Sequence, residues 1–231
     1  MNKTGKALRI AAIVFMGLTA AMNLLGGVGT TCAAFSSNVG YRMAFKELMD
    51  YRWLYQGLVV TTILIGLAGV WALIKLVRGG PSVYRDALIV LVIGTILGGI
   101  QFFASLALRG KATPANVKFF TNLFTLIVFL LFKAPGIREK VDFSNPGGKA
   151  ETTSAAGMAA IIAGMLMLTV FHWAAPSHTY YGENWVYVFE MPLIVVGTIL
   201  TLGGIGAVLR VTFDLFSREI EPVKLELSES K

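Results

Sequence analysis

Apolar residues arrive along this chain in blocks of about twenty, separated by short stretches that hold nearly all the charge. Five windows, residues 10–41, 53–74, 87–108, 152–171 and 191–209, contain no Asp, Glu, Lys, Arg or His. A hydrocarbon layer roughly 30 Å thick takes about 20 helical residues to cross, and only a helix or a closed barrel satisfies its backbone there. These runs are apolar all round rather than alternating, which excludes barrel strands. A sixth window, 119–132, has only 14 residues, but Lys118 and Lys133 flank it. Their aliphatic stems can lie along the acyl region while the charges reach the interfaces, so this window also counts as a span. The pattern predicts an all-α fold: a polytopic bundle of six transmembrane helices at about 8–29, 53–75, 86–108, 115–133, 153–174 and 187–210.

Composition agrees, since 55% of the 231 residues are hydrophobic and 14% charged, where a soluble domain carries about 25% charge. The first apolar run is longer than a signal-peptide core, so the segment is expected to stay in place. Cys32 is the single cysteine. It follows three small or polar residues that make no lipobox, and alone it forms neither an internal disulfide nor a cysteine-built zinc site.

Charge sets the orientation. Of the 20 Lys and Arg, 14 fall on the side of the N-terminus and 6 on the other. An even number of spans returns the C-terminus to the starting side, and the positive-inside rule puts both termini in the cytoplasm of a cell-membrane protein. The net charge of +7 is then explained by topology and by contact with the lipid bilayer. No soluble basic module exists to bind nucleic acid.

The connections carry their own signals. In the first outer loop Tyr41, Phe45, Leu48, Met49 and Trp53 recur at helical spacing, with Arg42, Lys46, Glu47 and Asp50 opposite. This predicts an outer interfacial helix at about 41–52 that caps the helix ends. Thr113-Pro114 predicts an N-cap and first-turn proline for the fourth span. The loop at about 134–152, with Pro135, Gly136, Pro146, Gly147 and Gly148, is expected to be a flexible cytoplasmic linker between four spans and two. In the cytoplasmic tail, 211–231, Val223, Leu225 and Leu227 alternate with polar residues, so it is expected to fray or to add a strand to a partner.

Small residues predict close helix contacts: Gly94 and Gly98; Ala156, Ala160 and Gly164; and Gly203, Gly204 and Gly206. They serve packing within the chain or with another subunit. Ionisable groups inside spans are almost absent by this reading, and no lysine lies deep in a span for a Schiff base. What remains at depth is neutral: Asn23, Gln101 and Asn122. An amide pair bridging helices is the simplest expectation for them. The functional alternative is a polar path or a site for a solute or quinone headgroup.

At the outer surface His172, His178, Glu183, Glu190 and Cys32 fall at similar depth and offer donors suited to zinc or copper, although the His spacing matches no metal signature. Glu190, just before Met191-Pro192, suits a helix N-terminus. No catalytic triad, zinc-protease, phosphate-loop or dinucleotide motif occurs. No cofactor is specified. The first expectation is therefore a non-catalytic subunit or scaffold of a larger membrane assembly, with other membrane subunits or further copies of itself as partners. The alternative is a small-solute transporter or channel lined by the three amides, and the third is an outer-interface redox, metal or quinone-binding protein.

Overall fold

A computed structural model describes the backbone of residues 3–35, 37, 39–112, 115–180 and 182–229, with side chains throughout except at 3, 40, 41, 44, 177, 180, 183, 215 and 218–229. The described residues form a helical membrane bundle of six principal helices. Five are long and apolar enough to cross a bilayer, within Thr4–Phe35, Lys46–Arg78, Val83–Arg109, Lys149–Trp173 and Trp185–Asp214, and Ala115–Leu131 is a shorter apolar helix. In order the elements are α1 (Lys3–Phe35), α2 (Val39–Ala44), a 3-10 turn (Lys46–Tyr51), α3 (Arg52–Arg78), α4 (Val83–Arg109), α5 (Ala115–Leu131), α6 (Lys149–Trp173), α7 (Ala175–His178) and α8 (Glu190–Glu229). A two-residue hairpin, β1 (Thr179–Tyr180) with β2 (Glu183–Asn184), links α7 to α8.

Helices α1, α3, α4 and α5 form a closed four-helix unit, in which α1 packs on α3 and α5, and α4 packs on α3 and α5. Small residues bring these helices together: a Cβ on Gly94 would fall 2.3 Å from Asn122 Oδ1, and one on Gly98 would lie 3.2 Å from the Phe119 backbone. Helix α6 leans on α1, and α8 packs on α6. The seam of that pair is formed by Gly164 against Gly197 and Thr201, and by Gly204 against Gly157 and Ile161. Backbones approach this closely only where no side chain intervenes, and dispersion then holds helices that lipid does not push together. Ala156 and Ala160 line a shallow groove with Gly203. A side chain at Gly203 or Gly206 would meet open space. Of the predicted small-residue faces, Gly94, Gly98, Gly164 and Gly204 therefore pack within the chain.

Three expectations change. The connection between α1 and α3 is a short helix and a 3-10 turn that bury Phe45 and Leu48 against Ala34, Tyr55 and Val59, whereas Trp53 points away from the bundle. It lies over this end of the bundle, with Arg52 and Gln56 donating to the Ala34 carbonyl at 2.8 and 3.2 Å. Residues 134–148 do not form a loose linker. Phe143 is buried between Tyr84, Phe129 and Phe132, and Gly80 N–H donates to its carbonyl at 3.1 Å. Gly79, at φ 76°, lets the loop approach so closely that a Cβ there would lie 2.5 Å from the Asn145 carbonyl carbon. Finally, α8 stays helical to Glu229, so the strand-like alternation of the tail does not decide its backbone. The Thr113-Pro114 cap lies outside the described residues.

Candidate functional site

The site begins on one face of α5. Ala115, Lys118, Asn122, Thr125 and Phe129 follow the helical period and are buried, while Val117, Phe120, Phe124, Ile127 and Leu131 face outward. Three of the five buried positions are polar, so this short helix presents a hydrophilic stripe to the centre of the four-helix unit. Each polar group finds a partner on a neighbouring helix. Asn23 Nδ2 donates to Asn122 Oδ1 at 3.1 Å, and Asn122 Nδ2 donates back to Asn23 Oδ1 at 2.9 Å. Thr19 and Thr125 hydroxyls bond at 2.7 Å one turn nearer the start of α1. Towards the capped end of the bundle, Gln101 Nε2 donates to Thr30 at 3.2 Å, and Tyr55 and Ser105 hydroxyls bond at 2.8 Å.

Lys118 is the centre of this seam. Instead of extending to the interface it runs inward across Gly26, where a Cβ would meet its Cδ at 3.3 Å, and it is 4% exposed. Its ammonium donates to Thr62 Oγ1 at 2.8 Å and to Gln101 Oε1. An ammonium carries three donors, and no third acceptor and no carboxylate pairs with Lys118 among the described residues. A cation buried among apolar helices is costly, so its position corrects the expectation that Lys118 extends its stem to reach the interface.

Two cavities meet here. An apolar groove separates α5 from the α6–α8 pair over α1; its cavity volume is about 70 Å³, and its walls include Gly26, Cys32, Lys118, Trp173 and His178. A smaller pocket of about 30 Å³ lies under the cap formed by the α1–α3 connection, between Thr30, Tyr55, Gln101, Ser105, Arg109 and His178. His178 borders both. Its Nδ1 lies 3.1 Å from the Ala174 carbonyl oxygen and its Nε2 3.4 Å from that of Gly29, which ties α7 to α1.

The structure thus brings together Asn23, Gln101 and Asn122, and adds Lys118, Thr62, Thr30 and Thr125. The predicted His, Glu and Cys donor set is more dispersed. Cys32 and His178 share the groove wall, whereas His172 is exposed in the last turn of α6 and Glu190 is exposed at the start of α8. The Glu183 side chain lies outside the described residues. Among those described, no three His, Cys, Asp or Glu side chains gather into a group that could hold a metal ion.

A second buried cation organises the opposite end. Arg9, 2% exposed, donates to the carbonyls of Asp142 and Asn145 at 2.8 and 2.6 Å, and to that of Leu76 at 2.8 Å. It binds the ends of α1 and α3 to the 141–148 loop and leaves little freedom for chemistry. Comparison with known proteins finds no matching family model, no similar curated protein and no similar solved structure.

Proposed function

We propose that this chain is a multi-pass carrier for a small solute bearing a negative charge or a strong hydrogen-bond acceptor, which docks at Lys118 inside the four-helix unit. One observation carries the reading: the Lys118 ammonium is buried between Thr62 and Gln101 with no carboxylate beside it. A desolvated cation with a spare donor favours an anion or an acceptor, and the adjoining cavities give two approaches, one from the outer end and one from the side. The 14-to-6 distribution of Lys and Arg supports cytoplasmic termini, so that the outer cap around Phe45 and Leu48 faces outside.

The test is a thermal-shift series on the purified full chain with chloride, nitrate and acetate, followed by efflux from proteoliposomes with the best binder. Stabilisation and efflux that vanish in Lys118→Met but persist in Lys118→Arg support the reading. Equal shifts in the wild type and Lys118→Met, or none with any of the three, overturn it.

A subunit role is the second reading, and α8 favours it. Only 11% of its most apolar window is buried, and Gly203 and Gly206 present open small-residue surface. A second copy seated there would gain the close contact seen at Gly204. In a Cys32→Ala background, oxidative cross-linking of Gly206→Cys in native membranes yields a dimer if this holds and only monomer if it does not.

A further inference from the structure

The end of the bundle opposite the cap carries an open cavity of about 510 Å³ between the first turn of α4 and the chain that follows α5. Tyr84, Phe132 and Phe143 supply its apolar wall, and Lys133, Arg138 and Asp142 its charge. The wall is rigid. Tyr84 stacks on Phe143 with ring centroids 5.6 Å apart, and its hydroxyl donates to the Phe129 carbonyl at 2.5 Å. Lys133 Nζ stands 5.7 Å over the Tyr84 ring.

The charges do not cancel locally. Asp142 accepts from Ser144 N–H through Oδ1 and from Asn145 Nδ2 through Oδ2, each at 2.7 Å, so both of its oxygens are engaged by the loop itself. Neither Lys133 nor Arg138 has an ion-pair partner among the described residues. The cavity is therefore a recess that sets two cations against one carboxylate, with a net positive charge, where α4 begins and α5 ends. Directly above it on α5, Leu130 and Leu131 are about half exposed, at 50% and 54%, and continue the outward apolar face of Phe120, Phe124 and Ile127.

From this juxtaposition we propose that the recess is a binding site for one anionic phospholipid. Its phosphodiester sits between Lys133 and Arg138, and its acyl chains run along Leu130 and Leu131. A free phosphate would satisfy the two cations but would leave the adjoining apolar track unused; a zwitterionic lipid would use the track but brings its own ammonium to the cations. Basic recesses at helix ends recognise anionic headgroups on this principle. The site is independent of Lys118 and of the carrier reading.

The test uses the full chain in a neutral maltoside detergent, with phosphatidylglycerol, phosphatidylcholine and inorganic phosphate as probes. Native mass spectrometry is expected to retain one phosphatidylglycerol in preference to phosphatidylcholine, with a matching rise in melting temperature. Lys133→Gln with Arg138→Gln should weaken that binding about thirtyfold, since each basic residue near the surface contributes about a factor of five. Both side chains are exposed, so the lipid-free melting temperature should change little, and the charge-keeping pair Lys133→Arg with Arg138→Lys should bind normally. Equal retention of the two lipids, or undiminished retention by the double Gln variant, overturns the proposal. A shift with inorganic phosphate as large as that with phosphatidylglycerol overturns it too, by showing a free-anion site.

Discussion

Asn23 on α1 and Asn122 on α5 face each other as a closed amide pair, each donating to the other's oxygen, at 3.1 and 2.9 Å. Asn122 is wholly buried and also donates to the Lys118 carbonyl at 2.8 Å. Replacing one member strands the other in a place without water, and intramembrane hydrogen bonds of this kind are worth about 0.6 to 1.7 kcal/mol. Asn23→Leu and Asn122→Leu should each destabilise the chain. The double variant should cost less than their sum, a coupling readable from unfolding in mixed micelles.

Gly94 permits that pair, because its missing Cβ would lie 2.3 Å from Asn122 Oδ1. Gly94→Ala should therefore resemble Asn122→Leu in stability and add little to it. Full additivity in the double variant would show that the glycine serves something else.

At the α6–α8 seam a Cβ on Gly164 would meet Thr201 Oγ1 at 2.3 Å and the Gly197 carbonyl oxygen at 2.6 Å. Overpacking of this kind costs about 1–3 kcal/mol, so Gly164→Leu should loosen α8 and expose the pair to limited proteolysis. Gly203→Leu meets open space and should leave the isolated chain as stable as before.

Arg9→Ala removes the donor to Asp142, Asn145 and Leu76 carbonyls. Hydrogen bonds from a charged group contribute about 1.5–3 kcal/mol each. The expected outcome is a chain that inserts but whose residues 141–148 become rapidly cleavable by added protease. Persistent resistance would mean that Phe143 alone holds the loop.

Acid should act on the same loop. Hydrogen bonds from Asn145 and from Ser144 N–H hold the Asp142 carboxyl below its ordinary 3.8. A carboxyl depressed on folding stabilises above its unfolded value, and that stability is lost as pH falls through the folded value. Protection of the loop should therefore persist at neutral pH and decline only below about pH 4. In Asp142→Asn that acid-dependent component should disappear. An unchanged acid profile in this variant would assign it to another group.

The spans were legible from the sequence because bilayer thickness leaves a coarse mark on hydropathy, and the helices fall close to where charge-free windows place them. The two buried cations were not. Lys118 and Arg9 stand beside apolar runs, where a basic residue ordinarily reaches for the interface, and hydropathy ignores which side of the helix it occupies. The signal was nonetheless present in α5: Lys118, Asn122 and Thr125 recur at the helical period with Phe129. That spacing marks a polar face within an apolar run, and reading faces rather than windows would have found it. The docking of 134–148 was illegible for another reason. Proline and glycine there suggest freedom, whereas the single aromatic Phe143 and the distant Arg9 remove it. The dispersal of His172 and Glu190 follows from a hairpin whose geometry depth alone does not encode.

The last pair of helices joins the rest of the molecule chiefly through α1, where a Cβ on Gly17 would already touch that of Ala159 at 2.9 Å. During synthesis α1 leaves the ribosome before α3, α4 and α5, and its partner α6 only after them. One flank of α1 must therefore wait, covered by lipid or by the insertion machinery, until the final hairpin arrives to claim it. A chain truncated after α5 would leave that flank of α1 without its protein partner.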